Sequence, residues 1–488
     1  MEDRISELSD DILSYILTML SMKDLFKTSI LSRRWCNLWA LRKDLFFDIF
    51  MLGSNEDDLL QSGYLIEVPS VSTVDRYVDL NLCTDEFVKL VNQFVKKFQG
   101  TKIDSFLVNF YINSKHNNII DQWISFAIAR GVVKVDLLFK GSPYAHCTTR
   151  RNLCKIDFAL FLETNASTLN HICLENCIVF HPTNCDFTPL KNLKSLSLDS
   201  AKLDETFIES LLSNCPQLEE LCLLFCELKS LMPEIVSSSL CHLKAIGCYF
   251  VYETLYRVEV NLILLDCLNL TSLELDCLEF TSLENGLNTM NFNTPVLKRI
   301  EFFISLKQEL NTYVALCATF FPELEIMQLS TLSMVTTSLQ TTQPLKHLKQ
   351  LNLFIFLYSE ILDDVEYDPL WILNILQVCP FLQKLSAMFA DPKLFDNQKD
   401  IRDVETFSHD EVKVIELGGC VGNWYEIEFV MNVLKYAHKL EQIVVSPFWR
   451  EDESLDWKSN PIWFQGGREK LSEKLSGQVV QGEKLVIV

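Results

Sequence analysis

Leu193-Lys194-Ser195-Leu196-Ser197-Leu198 is followed, twenty-five residues on, by Leu218-Glu219-Glu220-Leu221-Cys222-Leu223. In each, an anchoring Leu precedes a stretch in which apolar and polar residues alternate, the period of a strand buried on one face. The same L-x-x-L-x-L spacing starts at Leu169, Leu270, Leu297, Leu324 and Leu348, with Ile, Met or Phe replacing some leucines, and in weaker form at Leu243. Taken together the anchors 169, 193, 218, 243, 270, 297, 324 and 348 are separated by 24, 25, 25, 27, 27, 27 and 24 residues. Looser copies follow at Leu382, Val412 and Leu440, and two precede at Ile103 and Val132.

A strand unit recurring every ~20 to 29 residues is a leucine-rich repeat. After the strand the chain places a small residue and then an apolar one: Cys177 with Val179, Ala201 with Leu203, Cys226 with Leu228, and Cys420 at the same offset from Leu417. A small thiol suits a turn that must satisfy buried backbone groups. Three-residue spacing, as in Cys173/Cys177 and Cys222/Cys226, does not assemble a four-ligand metal site. Between strands the pattern turns helical: Asp204 is placed to cap a helix carrying Phe207, Ile208, Leu211 and Leu212, and Pro216 stops it two residues before the next anchor. Pro295/Leu297, Pro322/Leu324 and Pro380/Leu382 repeat that device. Each unit reads as strand, turn, helix, proline. Stacking such units predicts a solenoid with a parallel sheet on its concave face, because no single unit covers its own apolar side.

Composition agrees. The chain has 488 residues, 77 of them Leu, and only 14 Gly and 14 Pro, which leaves little room for flexible linker. Its net charge is 43 minus 65, or −22, which argues against nucleic acid or an anionic membrane as partner. Seventeen Cys without a CxxC pair, behind a charged start with no apolar leader, predict free thiols and a place in the cytoplasm and/or nucleus. Apolar runs such as 260–268 and 351–358 end far short of the ~20 residues a membrane span needs.

The first 47 residues lack the repeat. Ser9, Asp10 and Asp11 read as a helix start, and Ile12, Leu13, Ile16, Leu17 and Leu20 form the apolar stripe behind it. Leu25, Leu31, Trp35, Leu38 and Trp39 add apolar surface, and three short helices fit. So small a unit cannot hide all of this internally, so part of it is expected to dock on a partner helix. The run Asp3-x-Ile5-Ser6-x-Leu8-x-Asp10-x-Ile12-Leu13-x-x-Ile16-Leu17, followed by Lys27-Thr28-Ser29-Ile30-Leu31-Ser32-Arg33-Arg34-Trp35 and Leu38-Trp39, closely resembles a plant F-box. The resemblance implies docking to the Skp-type adaptor of a cullin-RING ubiquitin ligase, with Leu8, Ser9, Ile12, Leu13, Ile16, Leu17, Leu31 and Trp35 as the adaptor-binding residues. Ser9 stands where F-boxes usually carry Pro.

Toward the other end, Val412 to Leu417, Gly422, Glu426 to Val430, Leu434 to Ala437 and Leu440-Glu441 resemble the FBD module that closes many plant F-box leucine-rich proteins. Strand, glycine turn, amphipathic helix, strand is its pattern, a form suited to capping an open sheet edge. Residues 468–475 are expected to add a helix and 484–488 an edge strand. No catalytic grouping stands out: the eight His are scattered, and Gly418-Gly419-Cys420-Val421-Gly422 lacks the Lys and Ser/Thr of a phosphate loop. Asp363, Asp364, Glu366 and Asp368 lack calcium-loop spacing and are expected in a solvated loop, as are Glu56, Asp57 and Asp58.

The resulting expectation is an α/β chain: an F-box at 1–47, a leucine-rich-repeat horseshoe at 100–380, an FBD-like cap at 381–450, and a terminal helix and edge strand at 451–488. It would be a non-enzymatic substrate-recognition subunit of an SCF-type ubiquitin ligase, holding a client protein, with no cofactor and no metal. The alternative is a repeat-class binding scaffold outside the ligase, for which Ser9 is the motive. Residues 1–45 are neutral, so the whole −22 falls on the remainder, which would steer a basic client.

Overall fold

A computed structural model describes residues 7–28, 39–62, 64–69, 74–78, 80–140, 152–181, 186–204, 206–229, 234–252, 256–259, 264–275, 291–304, 310–331, 344–356, 370–390, 402–450, 458–459, 466–476 and 484–488. The chain forms two compact units, one of residues 1–240 and 244–260, the other of 241–243 and 261–488.

In the first unit, parallel strands run in the order Asp44–Phe47, Ser105–Asn109, Lys134–Leu138, His171–Glu175, Ser195–Asp199 and Glu220–Leu224. The two early copies, at Ile103 and Val132, are regular members of this sheet. Its first strand was not foreseen, because Asp44-Leu45-Phe46-Phe47 lies within the stretch read as F-box. Along each repeat strand the second and fourth residues point inward: Phe106 and Val108, Ile172 and Leu174, Leu196 and Leu198 have no exposed surface. Full burial of each such side chain contributes roughly 1.5–3 kcal/mol, so the Leu excess is the core itself.

The prolines act as expected. Each anchor amide donates to the carbonyl three residues back, Leu218 to Cys215, Leu297 to Thr294, Leu324 to Phe321 and Leu382 to Cys379, with the proline at the second position of the turn. Leu169 and Leu193 make the same turn without it. Helices, by contrast, do not fill every interval. Leu80–Lys97, Asn117–Ile128 and Phe207–Asn214 are α-helical, but Phe158–Leu162, Thr164–Thr168 and Thr188–Leu190 are single 3-10 turns. The reason is a second sheet the sequence reading missed, ordered Cys154–Asp157, Cys177–Phe180, Lys202–Leu203, Glu227–Leu228, Tyr249–Tyr252 and Tyr256–Glu259, which uses up chain between one strand and the next. The helix at 207–214 buries the four residues named above, but its N-cap is Thr206 and not Asp204. Glu56, Asp57 and Asp58 form the first turn of a short helix, Glu56–Gln61, whose cap Asn55 accepts from the Asp58 amide. That corrects the loop expected there.

The corner between the two sheets is built the same way each time. Asn176, Ser200 and Phe225 adopt left-handed backbone with φ of 54°, 54° and 51°, and Gly247 follows at 64°. The amides of the first three donate to Asp199, Leu224 and Ile246 carbonyls at 2.7 to 2.8 Å. The thiols of Cys226 and Cys248 then donate to the Leu198 and Leu223 carbonyls at 3.3 and 3.6 Å. Small residues stand here because the turn carries carbonyls that need a donor.

In the second unit, parallel strands follow as Ser272–Leu275, Arg299–Ile304, Ile326–Thr331, Gln350–Phe356, Lys384–Ala390, Val414–Gly418, Gln442–Val445 and Leu485–Ile487. Helices Leu310–Phe320, Trp371–Val378 and Trp424–Tyr436 fall between them, while Leu264–Asp266 and Asn291–Asn293 pair as short strands instead. A helix at Arg468–Ser476 precedes the last strand. The acidic residues 363–368 lie outside the described residues.

Helix Trp424–Tyr436 buries polar side chains as well as apolar ones. Glu428 has no exposed surface and takes a bidentate pair from Arg402, at 3.0 and 2.8 Å, plus the Arg402 amide at 2.7 Å. Asn432 accepts from the Val404 amide and donates to the Arg402 carbonyl. His409 presents Nε2 to the Cys379 carbonyl while Nδ1 accepts the Val412 amide, which fixes its neutral tautomer with the proton on Nε2.

Candidate functional site

Two surfaces stand out, one in each unit. The first is helix Asp10–Thr18. Its N-cap is Ser9, as read, with φ −64° and ψ 155°, but the Ser9 side chain makes no capping hydrogen bond. Leu13 and Leu17 point into the chain's own core with no exposed surface, joined by Met22 and Leu25 of the next helix, Met22–Thr28. Arg42 closes the C-terminal end of the first helix, its guanidinium donating to the Leu17 and Leu20 carbonyls at 2.8 and 2.6 Å.

The opposite face is open. Ile12 is 49%, Tyr15 65% and Met19 69% exposed, with Ile16 half-buried between them at helical spacing. Of the residues read as adaptor-binding, the structure therefore presents Ile12 and part of Ile16 and Leu8, keeps Ser9 exposed, and turns Leu13 and Leu17 inward. Leu31 and Trp35 lie outside the described residues, as does any third helix. Tyr15 and Met19 were missed. Their signal was the i+3 and i+7 offset from Ile12, hidden while the stripe was read as one face instead of two.

The second surface is a groove of about 380 Å³ on the second unit's sheet. Register places Gln328, Asn352, Ser386 and Glu416 side by side in one row and Ser330, Phe354, Met388 and Gly418 in the next. Phe354 is almost wholly buried, packed with Ala390 and Trp449, and Met388 and Phe356 lie against that cluster. Strand Phe448–Trp449 carries this packing, paired antiparallel with Lys458–Ser459. A Cβ on Gly418 would stand 2.2 Å from the Met388 sulfur and 2.6 Å from the Phe448 carbonyl, so glycine lets both pack this close to the strand.

The first unit's sheet carries a different surface. Lys140 reaches both Glu175, at 3.4 Å, and Asp199, at 2.5 Å. Burial pushes the Glu175 carboxyl above its usual range against the pull of Lys140. Nearby, Asp136 is nearly buried between Lys134 and His171, at 3.1 and 3.0 Å.

Elsewhere the chemistry is structural. The amides of Val421, Gly422 and Asn423 converge on the Glu426 carboxylate at 2.8 to 3.2 Å, so the glycine turn is filled by the chain's own acid. Burial pushes the thiols of Cys173, Cys154, Cys215 and Cys379 up to about 11, 12, 12 and 12, far from the thiolate a nucleophile needs. Among the described residues no three His, Cys, Asp or Glu side chains gather as metal ligands, and no helix is long and apolar enough to cross a membrane.

The comparisons with known proteins bear on both surfaces. The family model for the At1g61320/AtMIF1 leucine-rich-repeat (LRR) domain matches residues 94–473, and the F-box domain model matches residues 5–47. The chain belongs to that leucine-rich-repeat family. It is an F-box/LRR protein of the plant type. Similar proteins of Arabidopsis thaliana include FBD-associated F-box protein At5g56380, 28% identical over 45% of this chain and 43% of that one. F-box/LRR-repeat protein At1g48400 is 30% identical over 45% of this chain and 38% of its own length, and putative F-box protein At3g29830 33% identical over 46% and 43%. The chain thus spans less than half the length of these relatives. A chain in the crystal structure of a TLR13–ssRNA13 complex is 13% identical and covers 74% of this F-box/LRR chain and 55% of its own, at a TM-score of 0.30, a likeness on which nothing here rests.

Proposed function

We propose that this chain is a substrate-recognition subunit of an SCF-type cullin-RING ubiquitin ligase, working in the cytoplasm or nucleus. Its F-box docks on a Skp-type adaptor and its repeats hold the client. The observation that carries the reading is the F-box match over 5–47 coinciding with an apolar helix face, Ile12, Tyr15 and Met19, that the chain's own core leaves uncovered. The region 381–450 serves as an FBD-type closing module in this reading. The chain supplies proximity: it brings the client's lysines close to a ubiquitin-loaded enzyme carried by other subunits.

Co-purification with a Skp-type adaptor tests it. Ile12→Asp and Met19→Asp abolish adaptor binding and leave the melting temperature unchanged, because both side chains already face water. Ser9→Pro is tolerated, since φ at Ser9 is −64°, the value a proline ring imposes. If neither the natural chain nor Ser9→Pro retains the adaptor, the ligase reading is lost. If only Ser9→Pro retains it, the chain is a repeat-class scaffold outside the ligase.

A further inference from the structure

The geometry points to the groove on the second unit as a peptide-binding site for an extended, uncharged segment of a partner protein that carries one large apolar anchor residue. This deepens the reading of the repeats as the client-holding surface and rests on it. Three features carry the inference. The first is hydrogen-bonding capacity without charge: Gln350 donates to Asn352 Oδ1 at 3.1 Å, which leaves the Gln350 carbonyl and the Asn352 amide nitrogen unengaged among the described residues. A carbonyl and an amide beside each other match the N–H and C=O that every residue of an extended chain presents.

The second is charge. Lys384 and Glu416, the ionised groups beside that amide row, pair with each other at 3.0 Å. Arg450, on the rim, is also engaged. Within a chain of net charge −22 the Lys384–Glu416 pair is already made, so a charged peptide would have to break it to gain a partner there. The third is the apolar slot beside the amides, floored by Phe354 and walled by Met388, whose flexible thioether adapts to different anchors. The groove runs open along the sheet; a site for a small organic molecule encloses most of its ligand.

The test uses the full chain and a set of short fluorescent peptides read by polarisation. Each has Ser, Gly and Asn flanks around a central Leu, Met or Phe; matched sets carry Lys/Arg flanks, Asp/Glu flanks or a central Ala. Neutral peptides with the apolar centre bind, with an affinity that does not change between about 50 and about 300 mM salt, and the Ala-centred set binds at least tenfold more weakly. Asn352→Ala and Met388→Ala each weaken binding about tenfold in chains that stay folded by far-UV circular dichroism. Preference for the Lys/Arg set, lost at higher salt, overturns the proposal in favour of the acidic surface near Glu175 and Asp199. So does the absence of binding by any set, or binding that neither substitution weakens. Adaptor binding is read separately, so failure here leaves the ligase reading standing, and failure there leaves this one.

Discussion

The two units share one strand pattern and differ in how each treats what the strands leave over. In the first, the leftover is backbone: after the strands that end at Glu175, Asp199 and Leu224 the chain turns through a left-handed residue, and the corner carbonyls are met by amides of the preceding repeat and by thiols. In the second, the leftover is polar side chains: Glu426, Glu428, Asn432 and His409 are all buried, each with its own named partners. A repeating corner can be tuned by many small residues. A buried carboxylate has no such latitude, because removing its partner strands it in a low dielectric.

The sharpest way to break this contrast is Arg402→Ala. The Arg402 side chain is half exposed and Glu428 is not exposed at all, so the substitution leaves the acid buried with only the backbone amide of residue 402 facing it and costs about 3–5 kcal/mol in urea denaturation. Lys194→Ala, which breaks a pair with Glu219 that is exposed on both sides in the first unit, costs under about 1 kcal/mol. Equal effects would erase the distinction.

Next in size is the response to pH. Burial raises the Glu426 carboxyl from 4.5 to about 7, against the pull of the three amides that face it. Below the lower value, folded and unfolded chains both hold the proton and the contribution to stability is complete. Between the two values the unfolded chain releases it first, so stability declines as pH rises through about 7 and then levels off, a loss of about 3 kcal/mol. Glu426→Gln is less stable at low pH but flat across this window. A natural chain equally flat from pH 5 to 8 would show that Glu426 does not titrate there.

The first unit answers to backbone substitutions. Gly247→Ala forces a side chain into left-handed backbone and sets its Cβ 2.2 Å from the Phe225 ring, so it costs at least about 1–2 kcal/mol. Smallest of all, Ser200→Gly changes stability by under about 0.5 kcal/mol, because relief of the left-handed conformation is offset by the added freedom of glycine in the unfolded chain. Ser200→Val is the control, destabilising by about 1–2 kcal/mol.

Much of this was legible in the residues. Anchors such as Leu218, Leu297, Leu324 and Leu382, with a proline two residues before each of these four, gave the strands and their turns, since spacing alone decides which residues share a face. Ile12 was read as adaptor-binding through its motif, and the structure leaves it exposed. Tyr15 and Met19 were not, because a helix with two apolar sides does not say which one its own core will take. Strand Asp44–Phe47 was masked by the F-box motif it ends, and the second sheet by segments of two to four residues, too short for any period to show.

By itself, then, the sequence determined the repeat, its period and the F-box, because these are local patterns written at fixed spacing. The tertiary structure decided which face of the first helix is free, that Glu426 fills the glycine turn, and that Asn352, Ser386 and Met388 meet in one groove. Asn352 lies 34 residues before Ser386 and becomes its neighbour only through strand register, a relation that no local pattern encodes.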